Sequence, residues 1–158
     1  MTSKKNGKSH RAPWECTFAK EERSQCHPGM VPKSDSEYFE ILCLCILQAG
    51  LGWGTVRKNW ARYKRGFIGF NINELAKTNA KDLLDNPDTI KNRRKISAMI
   101  YNAREFKKIE LKYGSFSSFL NSMNRDSDEE PISKLTHYFH HIGNYSAEYF
   151  LHSVGFWK

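Results

Sequence analysis

No apolar run in this 158-residue chain approaches the roughly 18 residues that a membrane-crossing helix requires. No membrane association is therefore expected. The early lysines are not followed by the apolar stretch of a secretory signal, so none is read there. Cysteine is scarce, with only Cys16, Cys26, Cys43 and Cys45. Without a secretory signal all four read as reduced thiols, and the protein as cytoplasmic. No segment alternates polar and apolar residues as a half-buried strand does, and no internal repeat stands out. What survives these absences is an all-α fold, a compact helical domain. The length suits one proper core and is too short for two comfortable ones.

Positive charge and aromatic rings are in surplus. Lysine and arginine total 25 against 17 acids, a net charge of +8, and aromatic residues make up 13%. Such a balance points to a polyanionic partner. Nucleic acid ranks ahead of a membrane surface, because no basic amphipathic helix stands apart from the fold. The plain alternative is that the charge only keeps the protein soluble. Residues 1–12 hold Lys4, Lys5, Lys8 and Arg11 with no acid. They read as a disordered basic tail, and residues 13–158 as a single helical domain. Trp14 and Phe18 are expected to anchor the irregular segment that follows the tail.

Helix signals then succeed one another. Ser34 and Glu37 have capping-box spacing. From Tyr38 to Leu47 almost no polar face remains, which marks a central buried helix, with Gly50 as its C-terminal stop. Val56, Trp60, Tyr63 and Phe67 share one face of a second, basic amphipathic helix. Short helices are expected near residues 72–77 and 80–84, before a break at Pro87. A long helix over residues 93–113 buries Ile96, Met99, Ile100, Ala103, Phe106 and Ile109, and ends at Gly114. Phe116 and Phe119 mark a short turn of helix. Residues 121–131, with Asp126, Asp128, Glu129 and Glu130, are expected as an acidic exposed loop. The chain closes on a helix-hairpin-helix, with Leu135, Tyr138 and Phe139 facing in before the hairpin. Its turn is Ile142, Gly143, Asn144 and Tyr145, and Ala147, Phe150, Leu151 and Val154 pack the last helix.

One stretch carries more than fold. Cys45-Ile46-Leu47-Gln48-Ala49-Gly50-Leu51-Gly52-Trp53 resembles the signature Glu-x-x-Gln-Ala-Gly-Leu-Ser-Trp of the DNA-3-methyladenine glycosylase I family. Gln48, Ala49, Gly50, Leu51 and Trp53 match it. The segments Lys95-Ile96-x-Ala98-x-Ile100-x-Asn102-Ala103 and Tyr113-Gly114-Ser115-Phe116 are similar to later family segments, in the same order. Ser133-Lys134-Leu135 and Phe139-x-x-Ile142-Gly143 continue that order. The resemblance implies a helix-hairpin-helix DNA repair enzyme. It would flip an alkylated base from double-stranded DNA and hydrolyse the N-glycosidic bond of 3-methyladenine or a related base. A cationic base stacks well on an electron-rich ring and leaves easily, so binding and orientation outweigh strong acid catalysis.

By that resemblance Trp53 is the stacking tryptophan, Phe18 a second pocket aromatic and Gln48 part of the base pocket. Each has a packing alternative. Cys45 stands where the family has its base-reading glutamate. A thiol in apolar surroundings stays neutral and lacks the two acceptor oxygens of a carboxylate. The family tyrosine before the first helix is missing too. A catalytically weak or inactive DNA-binding protein is therefore the alternative to an enzyme. Glu37 or Glu148 entering the pocket would favour the enzyme. The family's zinc is not expected here. Cys16 and His27, or Cys26, form at most half a site, and no spacing makes His140, His141 or His152 the rest. No cofactor and a monomer are expected. At the hairpin, Ile142 to Tyr145 would present backbone N–H groups to a phosphate. Arg93, Arg94 and Lys95 either add phosphate contacts or form a solvated helix start.

Overall fold

The computed structural model describes residues 29–123, 126, 127 and 129–156. The tail at residues 1–12, Trp14, Cys16, Phe18, Cys26, His27 and Asp128 lie outside the described residues. Every regular element among the described residues is helical. In chain order these are α1 (Asp35–Gln48), α2 (Trp53–Lys58), α3 (Trp60–Gly66), a short 3-10 turn (Ile68–Phe70), α4 (Ile72–Lys77) and α5 (Ala80–Asp85). They are followed by α6 (Arg93–Tyr113), α7 (Phe116–Asn121), α8 (Glu129–Tyr138) and α9 (Asn144–Ser153).

Helix α1 is the hub. It packs against α2, α6, α7, α9 and the 3-10 turn, and its residues from Leu42 to Leu47 are all essentially inaccessible. The absence of a polar face in the sequence has this cause: the helix is covered on every side. Ser34 caps it by accepting from Glu37 N–H at 3.3 Å. The Glu37 carboxylate reaches back one residue further than a capping box requires, to Lys33 N–H at 2.9 Å. The same cap chemistry recurs at Asn71, Asn79, Asn92 and Ser115, which start α4, α5, α6 and α7. Short polar side chains thus set most helix starts, each satisfying an orphan backbone N–H.

Rings fill the space around α1. Phe116 is the junction: it stacks on Phe106 of α6 at 4.3 Å between ring centres, meets Phe150 of α9 edge-on at 6.1 Å and leans on Tyr38 of α1 at 5.1 Å. Its own backbone N–H donates to Asp35 at 3.0 Å, which ties the start of α7 to the start of α1. Truncating such a ring to alanine would cost about 3–5 kcal/mol.

Three sequence expectations need correction. The basic amphipathic helix is two helices, broken at Asn59, whose φ of −105° and ψ of 10° leave the helical region. Val56, Tyr63 and Phe67 remain buried as expected, but they belong to different segments. The acidic stretch is only partly loop, because Glu129, Glu130 and Pro131 form the first turn of α8, where acids suit the positive end of the helix dipole. Lys95 is neither solvated nor turned toward a ligand: it is 5% exposed. No helix among the described residues is long and apolar enough to cross a membrane.

Candidate functional site

The long helix α6 positions both regions singled out in the sequence. At its first turn, Lys95 Nζ donates to the Leu47 carbonyl at 2.9 Å and to the Ala49 carbonyl. Helix α1 has no basic residue in its own last turn, so a cation borrowed from α6 satisfies its terminal carbonyls and complements its dipole. Burial pulls the Lys95 pKa below the usual lysine range. The turn held there is tight. Leu51 N–H and Gly52 N–H both donate to the Gln48 carbonyl, at 2.9 and 2.7 Å. Gly50 follows the cap residue Ala49 with φ +81°, a conformation that favours glycine.

The turn delivers Trp53 to the head of α2. Trp53 is half-buried on the core and stacks on Tyr149 of α9 at 5.2 Å, with the planes 24° apart. Tyr149 is 2% exposed and meets Tyr145, one turn earlier, at 6.0 Å. An aromatic ladder thus runs from the expected pocket to the expected hairpin. Gln48 is half-buried at the end of α1. Cys45, eight residues before Trp53, is 1% exposed, and both it and Cys43 are reduced thiols. Burial, then Glu40 and Cys45, push the Cys43 thiol well above the ordinary range. Glu37 is committed at the opposite end of α1, and Glu148 is half-buried on α9.

Seven residues further along α6, Asn102 is wholly buried and clamps the other region. It donates to the His140 carbonyl at 3.1 Å and accepts from His140 N–H at 2.8 Å. The His140 ring lies flat on Tyr101, 3.5 Å away. His141 next adopts φ +63°, unusual for a residue with a side chain. Ile142 is buried, while Gly143, Asn144 and Tyr145 are exposed at the start of α9. Gly143 has φ −91°, which any residue tolerates. A Cβ added there would meet nothing within 4 Å. Neither backbone nor packing requires this glycine.

Between that turn and the start of α6 lies an open cleft of 470 Å³ lined by Arg93, Arg94, Ser97, Ala98, His140 and His141. Burial, then Lys95 and Arg94, hold the His141 pKa below the usual histidine range. Away from both regions, Glu110 is pushed up to about 7 by burial and by a hydrogen bond to Asp35.

Among the described residues no three His, Cys, Asp or Glu side chains are grouped to hold an ion. His140 is stacked, His141 faces the cleft and His152 sits buried near the end of α9. They do not form a zinc site, and the partial pair Cys16 and His27 lies outside the described residues.

The residues that sequence reading missed are Asn102, Tyr149 and Lys95 in its buried role. A signal existed. Lys95 and Asn102 interrupt the apolar stripe of α6 at helical spacing, and a polar residue on a buried face needs a partner.

The chain as a whole is similar to known proteins. Residues 27–148 match the family model described as methyladenine glycosylase. The DNA-3-methyladenine glycosylase of Haemophilus influenzae is 36% identical over 93 residues, covering 56% of this chain and 50% of that protein. DNA-3-methyladenine glycosylase 1 of Escherichia coli is 36% identical over 94 residues, 57% of this chain and 50% of that protein. The chain thus spans about half the length of the curated relatives it matches. The structure of 3-methyladenine DNA glycosylase I from Staphylococcus aureus, described for its recognition of 3-methyladenine, superposes with a TM-score of 0.70 at 26% identity, over 91% of each chain. A match across most of the chain, on the same all-helical fold, settles the family: the chain belongs to the methyladenine glycosylases.

Proposed function

We propose that this protein is a base-excision DNA glycosylase that flips 3-methyladenine, or a related alkylated base, out of double-stranded DNA and hydrolyses its N-glycosidic bond. The observation that carries the reading is Trp53: half-buried, backed by Tyr149, and set by a Lys95-held turn at the end of α1. A rigid electron-rich ring suits a cationic base, and attraction to its face strengthens where water is displaced. Alkylated purines leave readily, so stacking and orientation supply most of what the reaction needs. Gln48 and, from the undescribed segment, Phe18 complete the pocket in this reading. The hairpin Ile142, Gly143, Asn144 and Tyr145 takes the DNA backbone. Gly143 supports that role, since its missing side chain serves nothing inside the fold and leaves room for a phosphate at the start of α9. The protein works in the cytoplasm as a monomer, without a cofactor.

A second reading draws on Cys45. A buried thiol at the glutamate's position provides neither charge nor paired acceptors for the base. In that reading the protein binds DNA and turns over weakly or not at all. Base release from DNA treated with a methylating agent decides between them. Release of 3-methyladenine above the spontaneous rate, lost in Trp53→Ala, supports the enzyme. Tight duplex binding with release no faster than buffer leaves the binder.

A further inference from the structure

The 470 Å³ cleft beside the hairpin is built from two elements, the first turn of α6 and the turn between α8 and α9. Arg93 and Arg94 both line it and both are exposed, and neither has an ion-pair partner among the described residues. Charge there is set against the helix. Arg93, Arg94 and Lys95 occupy the first turn of α6, which holds no acid, although that end of a helix disfavours cations. An anion in the cleft would relieve both the mutual repulsion and the unfavourable dipole. His141 adds an imidazole from the opposite wall, at a left-handed position where glycine would be cheaper by backbone preference.

Position narrows the ligand. Through Lys95 the same turn of α6 grips the loop that ends at Trp53. The other wall continues directly into Ile142 and Gly143. The cleft therefore lies between the proposed base pocket and the proposed backbone contact. We propose that it is a phosphate seat, holding a phosphodiester of the strand that carries the flipped nucleotide between Arg93, Arg94 and His141. Two guanidinium groups offer the forked donors that match phosphate oxygens, and a histidine N–H completes the shell. The seat fixes the sugar-phosphate beside the base, so that rotating the base out does not drag the backbone with it. This rests on the DNA reading above and goes beyond it by assigning Arg93, Arg94 and His141.

Fluorescence anisotropy with a labelled duplex, titrated at several salt concentrations, tests the seat. Arg94→Gln and Arg93→Gln should each weaken binding by about five- to tenfold and lower the slope of log affinity against log salt by about 1. His141→Gly is the informative partner. Glycine accepts φ +63° without strain, so melting temperature should hold or rise while affinity still falls severalfold. Natural protein that binds with steep salt dependence, beside three variants with unchanged affinity and slope, would overturn the seat and leave the DNA reading standing. No binding by the natural protein in dilute buffer would overturn the DNA reading and the seat with it.

Discussion

Two regions hang from one helix, and they are finished in opposite ways. At the proposed base side, Lys95 of α6 holds the loop that carries Trp53, with Cys45 buried in α1 and Tyr149 buried in α9. At the proposed phosphate side, Asn102 of α6 holds the turn that carries Gly143, and the surroundings are open and basic: Arg93, Arg94 and two histidines. Each region is fixed by a buried polar side chain satisfied by backbone groups, an expensive arrangement unless every partner is present. The difference lies in what each then offers a ligand. The proposed base side offers a ring face and a buried thiol at position 45; the proposed phosphate side offers positive charge. DNA binding and base excision should therefore be separable by mutation.

The most disruptive change tests the base side. Cys45→Glu introduces the residue that the resemblance implies there, and places a carboxylate at a position 1% exposed. It should destabilise the protein by about 3 kcal/mol, seen as a fall in melting temperature. Added 3-methyladenine should recover part of that fall. A variant indifferent to the free base would show that position 45 is sealed core and remove it from the pocket.

Next come the two clamps. Lys95→Met and Asn102→Ala should each cost about 2 kcal/mol in chemical unfolding, because each leaves buried carbonyl or N–H groups unpaired. Their functional effects should diverge. Lys95→Met should slow base release more than it weakens duplex affinity, and Asn102→Ala the reverse. Equal losses in both variants would mean that α6 acts as a single scaffold rather than two clamps.

The hairpin gives a smaller, cleaner effect. Gly143→Glu should weaken duplex binding at least about tenfold, through repulsion of phosphate, with an unchanged circular dichroism spectrum. Gly143→Ala should melt as the natural protein does, since space and φ both permit the methyl group. A folded Gly143→Glu protein with full affinity would return the hairpin to an ordinary helix connection.

The sequence was most legible where periodicity and capping agree. The apolar run from Tyr38 to Leu47 announced α1, and the α6 stripe was read residue by residue, because a helix of 21 residues averages over local irregularity. The break at Asn59 was not legible: its neighbours keep helical spacing, and only packing reveals the kink. Neither expectation for Lys95, a phosphate contact or a solvated helix start, foresees its burial, because a lysine beside two arginines gives no local sign of it. Its distance in sequence from Leu47 and Ala49 hides the interaction that buries it. Trp53 could be proposed for the pocket from its motif, but Tyr149 behind it lies 96 positions later and is invisible without the fold.

The smallest expected effect lies outside both regions and serves as their control. Glu110 has its folded-state pKa raised from 4.5 to about 7, by burial first and then by Asp35. A raised carboxyl pKa favours the protonated folded form. Its contribution is complete below pH 4.5 and is lost as pH rises toward and through 7. Allowing for its partial exposure, about 1 kcal/mol or about 3 °C should disappear over that window. Glu110→Gln should flatten this part of the melting profile while leaving duplex affinity unchanged. A profile that keeps its slope would place the titration elsewhere.

Single-turnover release of 3-methyladenine from methylated duplex, with protein in large excess, addresses the separation most directly. Trp53→Ala should bind the duplex nearly as well as the natural protein yet release almost no base at saturation. Arg94→Gln should need a higher protein concentration but reach the natural rate once saturated. Equal loss of affinity and saturated rate in both variants would contradict the separation, because one undivided surface would then be doing both jobs.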